Sequence, residues 1–239
     1  MTRIKLFCFP YAGGSATIYQ KWRRHLREEI DLIPVELPGR GKRISEDLYK
    51  DIPDAIDDVL RIIKPAIKEG PYALFGHSMG AMITYHLAQR IRETGLPQPI
   101  HLFLSGRGAP SVQRTDKKRY SLMDNGEFMD AVLKLGGTSA DFFQYPELME
   151  LFFPLLRNDF RLSESEAAGD IFVPMDTNMT VLLGKDEDLT PEQCMGWKRH
   201  TRKICNLICF NGGHFFIHDA TEKITTIINN TFLNEVFIF

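Results

Sequence analysis

A short apolar run, Tyr72–Phe75, ends in the motif Gly-His-Ser-Met-Gly at residues 76–80 and passes directly into a helical pattern. Apolar side chains then recur at helical spacing, at Met82, Tyr85, Ala88 and Ile91. This order favours a tight strand-to-helix turn that lifts the serine hydroxyl clear of a sheet, with glycines where side chains would collide. Ser78 is therefore the candidate nucleophile.

Strand-like and helix-like segments alternate along most of the chain. Strands are predicted at Ile4–Phe9, Leu32–Glu36, Tyr72–Phe75, Leu102–Ser105, Met179–Leu183 and Leu207–Phe210. Helices are predicted at Tyr19–Glu28, Ile52–Lys68, Ala81–Glu93, Pro191–Arg202 and Ala220–Leu233, with Pro65 expected to kink or shorten the second. This alternation predicts an α/β fold, with a mostly parallel sheet covered by helices on both faces.

The alternation stops between residues 107 and 165, where the chain is first polar and then rich in large apolar residues. We interpret this segment as a helical lid inserted over the catalytic end of the sheet, with Gly136-Gly137 as a turn between two of its helices. Residues 1–106 and 166–239 would then form the core. The alternative is that these helices simply complete the core.

Composition restricts the classes of function. The chain has 239 residues, 44% of them hydrophobic, and a net charge of −2, which gives no indication of nucleic-acid binding. No apolar run approaches the roughly 18 residues that a membrane-spanning helix needs, and the N-terminus does not resemble a signal peptide, so a cytoplasmic location is expected. Four cysteines lack metal-binding spacing and are expected to be reduced thiols.

A serine nucleophile needs an imidazole base and a carboxylate that orients the imidazole, in the chain order serine, acid, histidine. His214 follows a predicted strand at a glycine-rich turn, and Asp188, with Asp186 as the fallback, follows another strand. The alternative for His214 is a surface histidine without a catalytic role, and the alternative for Asp186 and Asp188 is a solvated acidic turn. His214 and His218 do not suggest a metal site, because Phe215 stands where the metal-binding helix motif has glutamate.

The oxyanion formed during acyl transfer needs preset N–H donors. The amide of Met79, at the start of a helix, is one candidate. The second is expected from the loop after the first strand, with the amide of Ala12 preferred and that of Gly13 as the alternative. No Gly-Lys-Ser/Thr follows this loop, which argues against a phosphate-binding loop.

Several motifs together resemble the type II thioesterases, editing hydrolases that accompany nonribosomal peptide and polyketide synthases. They are Phe-Pro-Tyr-Ala-Gly-Gly (9–14), Leu-Pro-Gly-Arg-Gly-Lys-Arg (37–43), Gly-His-Ser-Met-Gly (76–80), Trp197 with His200-Thr201, and Gly-Gly-His-Phe-Phe (212–216). The resemblance spans nearly the whole chain. It implies an α/β-hydrolase fold with a helical lid, with the catalytic triad Ser78, Asp188 and His214 and the oxyanion donors Ala12 and Met79.

The resemblance also implies the substrate and partners, namely acyl groups on the phosphopantetheine arm of carrier proteins. No cofactor or metal is expected beyond that tethered arm, no nucleic acid or membrane partner is expected, and the chain is expected to be a monomer. The main alternative is a carboxylesterase or lipase that acts on free esters, since its triad chemistry is the same. A hydrolase-like binding module without catalysis is a further alternative.

Two surfaces are candidate contacts for the substrate. Lid side chains are predicted to wall an acyl pocket: Phe142, Phe143, Phe152 and Phe153. A basic run could dock an acidic carrier protein or simply be solvated: Arg114, Lys117, Lys118 and Arg119. Arg40 and Arg43 either meet the phosphate of the arm or belong to a structural turn.

Overall fold

The computed structural model describes residues 3–112, 119–137, 145–166 and 172–233. Their strands form one sheet: β1 (Ile4–Phe9), β2 (Ile30–Pro34), β3 (Tyr72–His77), β4 (His101–Ser105), β5 (Asn178–Gly184) and β6 (Cys205–Phe210). The strand order is β2-β1-β3-β4-β5-β6, and every neighbouring pair is parallel. All carboxyl ends of the strands therefore lie along the same edge of the sheet.

Helices connect the strands and cover the sheet. The α-helices are α1 (Ile52–Ile67), α2 (Met79–Glu93), α3 (Asn125–Leu135), α4 (Pro146–Glu164), α5 (Pro191–Met195), α6 (Phe216–Asp219) and α7 (Thr221–Leu233). The described residues also form 3₁₀ segments at Ala16–Arg24, Gly41–Arg43, Tyr120–Leu122 and Gly196–His200. None of the described helices is long and apolar enough to cross a membrane.

The sheet separates two apolar clusters, because successive side chains of a strand point to opposite faces. On one face, Phe7 and Leu74 pack in a cluster with α1 and α2. On the other face, Phe75 packs with the 3₁₀ segment Ala16–Arg24 and with α7. The predicted α/β-hydrolase architecture, a parallel sheet with helices on both faces, is thus confirmed.

The alternation of patterns located all six strands, but several boundaries differ. Helix α1 continues through Pro65 to Ile67, so the proline lies within its last turn. The segment predicted as helix at Tyr19–Glu28 is instead a 3₁₀ helix that starts earlier, at Ala16. The helix predicted at Pro191–Arg202 is α5 followed by a 3₁₀ segment that begins at Gly196.

The segment between β4 and β5 contributes only helices within its described residues. Helix α3 ends at Gly136, whose φ of +84° is the left-handed conformation typical of a helix C-terminus, as the predicted turn requires. Phe128, Val132 and Leu156 form a small apolar cluster of their own. The interpretation of this segment as a lid therefore remains a prediction that its separate packing favours.

An ion pair joins the two ends of the lid segment. Arg107 follows β4, and its Nη2 lies 2.5 Å from a carboxylate oxygen of Glu166, which follows α4. His86 Nε2 lies 2.7 Å from the other oxygen. Although burial opposes ionisation, Arg107 and His86 hold the pKa of Glu166 at about 2. The two ends of the lid segment are thus held together by a largely buried ion pair.

Truncation of Phe75 tests the packing of the second face. Its ring is fully buried and packs edge-on against Trp22, with centroids 4.8 Å apart. We expect Phe75→Ala to lower the free energy of unfolding by about 3–5 kcal/mol, because it leaves a cavity. The control Ile62→Ala, at a side chain 40% exposed on α1, should change it by about 0.5 kcal/mol at most. Urea denaturation measures both, and equal effects would contradict this packing.

Candidate active site

Ser78 lies at the turn between β3 and α2 in a strained conformation. Its φ is +56° and its ψ is −113°, and no other non-glycine residue in the described ranges has a positive φ. A Cβ at residue 76 would collide with the carbonyl of Gly80, and a Cβ at residue 80 would collide with the carbonyl of Phe9. The two glycines of the motif are therefore required by close backbone approaches, as the sequence predicts.

The neighbouring strand holds this turn. The Ser78 amide donates to the carbonyl of Ser105, the last residue of β4, at 2.7 Å. The Ser105 Oγ lies 2.8 Å from Nδ1 of His77. Burial keeps the pKa of His77 well below its ordinary value. His77 is therefore neutral, so it adds no charge beside the reacting groups.

Ser78 and His214 are in hydrogen-bond contact, although they are 136 positions apart in the chain. The distance from His214 Nε2 to Ser78 Oγ is 2.9 Å. The His214 side chain is 25% exposed, so the imidazole borders solvent while it contacts the serine. This geometry is the one in which a histidine can take the proton of a serine hydroxyl.

Glu187, and not Asp188 or Asp186, is the carboxylate that contacts the imidazole. Its Oε1 lies 2.9 Å from His214 Nδ1, and its side chain is only 3% exposed. Asp186 and Asp188 are exposed. The second oxygen of Glu187, Oε2, is buried and has no hydrogen-bond partner among the described residues. The carboxylate therefore directs its charge at the imidazole.

The backbone of the turn after β5 explains why Glu187, and not Asp188, faces His214. The turn after β5 is tied to the loop of His214, because the amide of Asp186 donates to the carbonyl of Gly212 at 3.1 Å. With the turn held there, the side chains of the flanking aspartates face solvent and the intervening glutamate faces the imidazole. Glutamate serves as the acid of such triads as well as aspartate does. This use of glutamate is the signal that could have brought Glu187 into consideration beside Asp186 and Asp188.

Glycine allows these two loops to meet. A Cβ at Gly184, the last residue of β5, would lie 2.7 Å from the carbonyl oxygen of Gly212 and 2.5 Å from that of Gly213. Gly212 itself has a φ of +103°, a conformation that favours glycine. The acid and the base are thus placed by a close backbone contact between the ends of β5 and β6.

The expected oxyanion donors lie at the start of α2, next to Ser78, and in the loop that follows β1. The amide of Met79 is in the first turn of α2 and so has no acceptor within its own helix. The amide of Ala12 pairs with no acceptor in the described part of the chain. The amide of Gly13 is occupied, since it donates to Asp159 Oδ2 at 2.8 Å. Ala12 and Met79 remain the predicted donors, and Gly13 is no longer an alternative.

The lid segment approaches the triad through an aromatic contact. A Cβ at Gly137, in the turn that follows α3, would collide with the ring of Phe215, the neighbour of His214. His218, in α6, has its Nε2 3.0 Å from the hydroxyl of Tyr11. Within the described residues no group of three histidine, cysteine, aspartate or glutamate side chains is arranged to hold a metal. All four cysteines are free.

Other predicted contact residues are placed as follows. Phe152 lies against Gly13, and Phe153 packs on Phe128 within the lid cluster. Outside the described residues lie Phe142, Phe143, Arg114, Lys117 and Lys118. Arg119 is exposed. Arg40 and Arg43 make ion pairs with Asp159 and Asp58, which favours the structural interpretation of their turn.

Comparisons with known proteins agree with this geometry. A model of the thioesterase domain family matches residues 4–232. The protein named linear gramicidin dehydrogenase LgrE, from Brevibacillus parabrevis, is 34% identical over 95% of this chain and 87% of its own. The chain nevertheless has no Gly-x-Gly-x-x-Gly dinucleotide motif.

Two solved structures are also similar. ClbQ, from the colibactin NRPS/PKS pathway, has a TM-score of 0.89 and 32% identity, covering 96% of this chain and 97% of that one. BorB, a type II thioesterase from the borrelidin biosynthetic cluster, has a TM-score of 0.85 and 32% identity, covering 96% of this chain and 92% of that one.

Neutralising each carboxylate in turn identifies the acid. We expect Glu187→Gln to lower kcat for an aryl ester by about 10³–10⁴-fold, because an amide favours the wrong imidazole tautomer and cannot stabilise its cation. The matched variants Asp186→Asn and Asp188→Asn should stay within about twofold of wild type, since exposed charges are screened. Steady-state rates measure this, and a large loss in Asp188→Asn alone would restore the original assignment.

Proposed function

The chain belongs to the thioesterase family, and we propose that it hydrolyses acyl thioesters held on the phosphopantetheine arm of carrier proteins in nonribosomal peptide or polyketide biosynthesis. The observation that carries this proposal is the contact chain from Ser78 to His214 to Glu187 within a thioesterase match over residues 4–232. The pathways of ClbQ and BorB support the biosynthetic setting.

In the first half of the reaction, Ser78 Oγ attacks the thioester carbonyl while His214 Nε2 takes its proton. Glu187 holds the imidazole through Nδ1 and stabilises the imidazolium that forms. The amides of Ala12 and Met79 are the donors we assign to the oxyanion. His214 then gives that proton to the departing sulfur, and loss of the thiol leaves an acyl group on Ser78. A thiol, with a pKa of about 8.5, leaves more easily than an amine and needs less help from an acid.

In the second half, water attacks the acyl-enzyme and gives up a proton to His214, which returns it to Ser78 Oγ as the carboxylic acid departs. Every proton moves through groups of this chain. We therefore propose that the enzyme needs neither a metal nor an organic cofactor of its own, and that the only prosthetic group in the reaction is the arm of the partner.

A comparison of substrates tests this function against the esterase alternative. We expect kcat/KM to be higher for an octanoyl chain on a phosphopantetheine-loaded carrier protein than for the p-nitrophenyl ester of the same acid, because the partner presents the thioester. Product release is measured by mass spectrometry. Ser78→Ala should lower the rate by about 10⁶-fold. Ester cleavage that equals or exceeds thioester cleavage would favour a carboxylesterase, and an active Ser78→Ala protein would end the assignment.

The acyl wall has its own test, because two adjacent phenylalanines of α4 have different surroundings. Phe152 touches the loop beside the triad at Gly13, whereas Phe153 packs inside the lid against Phe128. We propose that Phe152 borders the acyl chain. Phe152→Ala should shift the preferred chain length on a carrier protein, and Phe153→Ala should lower thermal stability while the preference stays constant. An unchanged profile in Phe152→Ala would contradict the proposal.

A further inference from the structure

Asp159 of α4 contacts the loop that follows β1 and carries Ala12 and Gly13. Its side chain is 1% exposed, and its Oδ2 accepts the amide of Gly13 at 2.8 Å. The same carboxylate accepts two hydrogen bonds from the guanidinium of Arg40, at 2.7 and 2.9 Å. Arg40 is 5% exposed and also donates to the carbonyl of Gly14 at 3.0 Å. The buried pair therefore binds the loop at two backbone groups, the amide of Gly13 and the carbonyl of Gly14.

The bound part of the loop, Tyr11–Gly14, is a β-turn. The amide of Gly14 donates to the carbonyl of Tyr11 at 2.9 Å, and Gly13 has a φ of +76°. Ala12 has no positive φ, so this is a type II turn. In such a turn the peptide between Ala12 and Gly13 can flip to the type I orientation, which exchanges its N–H and C=O. After a flip, the carbonyl oxygen of Ala12 would face a carboxylate.

Helix α4 also packs directly on this turn. A Cβ at Gly13 would lie 2.6 Å from a methyl carbon of Leu156 and 2.9 Å from the ring of Phe152. Asp159 and Leu156 are three residues apart, so they lie on the same face of the helix. The carboxylate and the apolar contacts together place the turn against the lid segment.

We propose that Asp159 is a positioning residue: from α4 it holds the Tyr11–Gly14 turn in the type II form and so fixes the loop that presents the Ala12 amide, which belongs to the preceding peptide, to the oxyanion. The carboxylate does this by occupying the Gly13 amide, while Arg40 supplies the charge that allows the carboxylate to be buried. The inference rests on the proposed function, because it assigns a role within the same acyl transfer. It predicts an effect on the transition state rather than on substrate binding.

Two variants separate positioning from folding. Asp159→Ala leaves Arg40 buried without a partner and is expected to destabilise the fold. The double variant Asp159→Leu with Arg40→Met removes the pair without leaving a buried charge, and such replacements often restore stability. Because the Gly13 amide still lacks its acceptor, the double variant should keep a low kcat. Active-site titration with a fluorophosphonate normalises every rate to the folded enzyme.

The expected result is a fall in kcat of at least about tenfold in both variants, with KM within about twofold of wild type, since one oxyanion donor is worth about 10²–10³ in kcat. Affinity for butylboronic acid, whose tetrahedral serine adduct places an oxygen in the oxyanion position, should fall in parallel. The matched control Asp58→Asn breaks the ion pair of Arg43 in the same turn region, at 2.8 Å, and should retain wild-type kcat per active site.

Three outcomes would overturn the inference: a double variant with wild-type kcat, a fall in kcat without a loss of boronate affinity, or an equal fall in Asp58→Asn. If Asp159→Ala does not accumulate as folded protein, the double variant decides the question by the same criteria. Failure of the proposed function is distinguishable, because wild type would then bind the boronate and yet leave acyl-carrier protein intact.

Discussion

The contact between Ser78 and His214 exists because all six strands run the same way and end at one edge of the sheet. Their turns bring together residues that are 136 positions apart, with Nε2 and Oγ at 2.9 Å. The serine turn and the turn that carries the acid are held by backbone contacts. Ser105 holds the strained serine turn, and Gly184 lets the acid's turn pack on the loop of the base. Strain at Ser78 is tolerated because these contacts determine its position.

The segment between β4 and β5 contacts the catalytic loops at a few small residues. Gly13 accommodates α4, and Gly137 accommodates the ring of Phe215 beside His214. Charge secures the same arrangement, since the carboxylate of Asp159 is buried against Arg40 and the pair of Arg107 and Glu166 joins the ends of the segment. The segment between β4 and β5 and the catalytic loops are therefore packed together at several points.

The sequence predicted the sheet well because parallel strands buried on both faces leave a strong apolar signal between helices. It also predicted Ser78 and His214, since each follows a predicted strand at a glycine-containing turn. The prediction of Asp188 as the acid was wrong. Adjacent carboxylates in one turn differ in the direction of their side chains, and that direction is set by how the turn packs on the loop of His214. The role of Asp159 has no signal in spacing, because its partner Arg40 is 119 positions away.

The central claim is that Ser78 carries the acyl group between the two halves of the reaction. Rapid quenching of the enzyme during turnover of an octanoyl thioester, followed by peptide mass spectrometry, tests this most directly. The account predicts that the peptide containing Ser78 gains the mass of one octanoyl group, and that this species disappears as free acid forms. Octanoyl transfer to a different residue, or turnover in which no acylated peptide forms while acid is released, would contradict it.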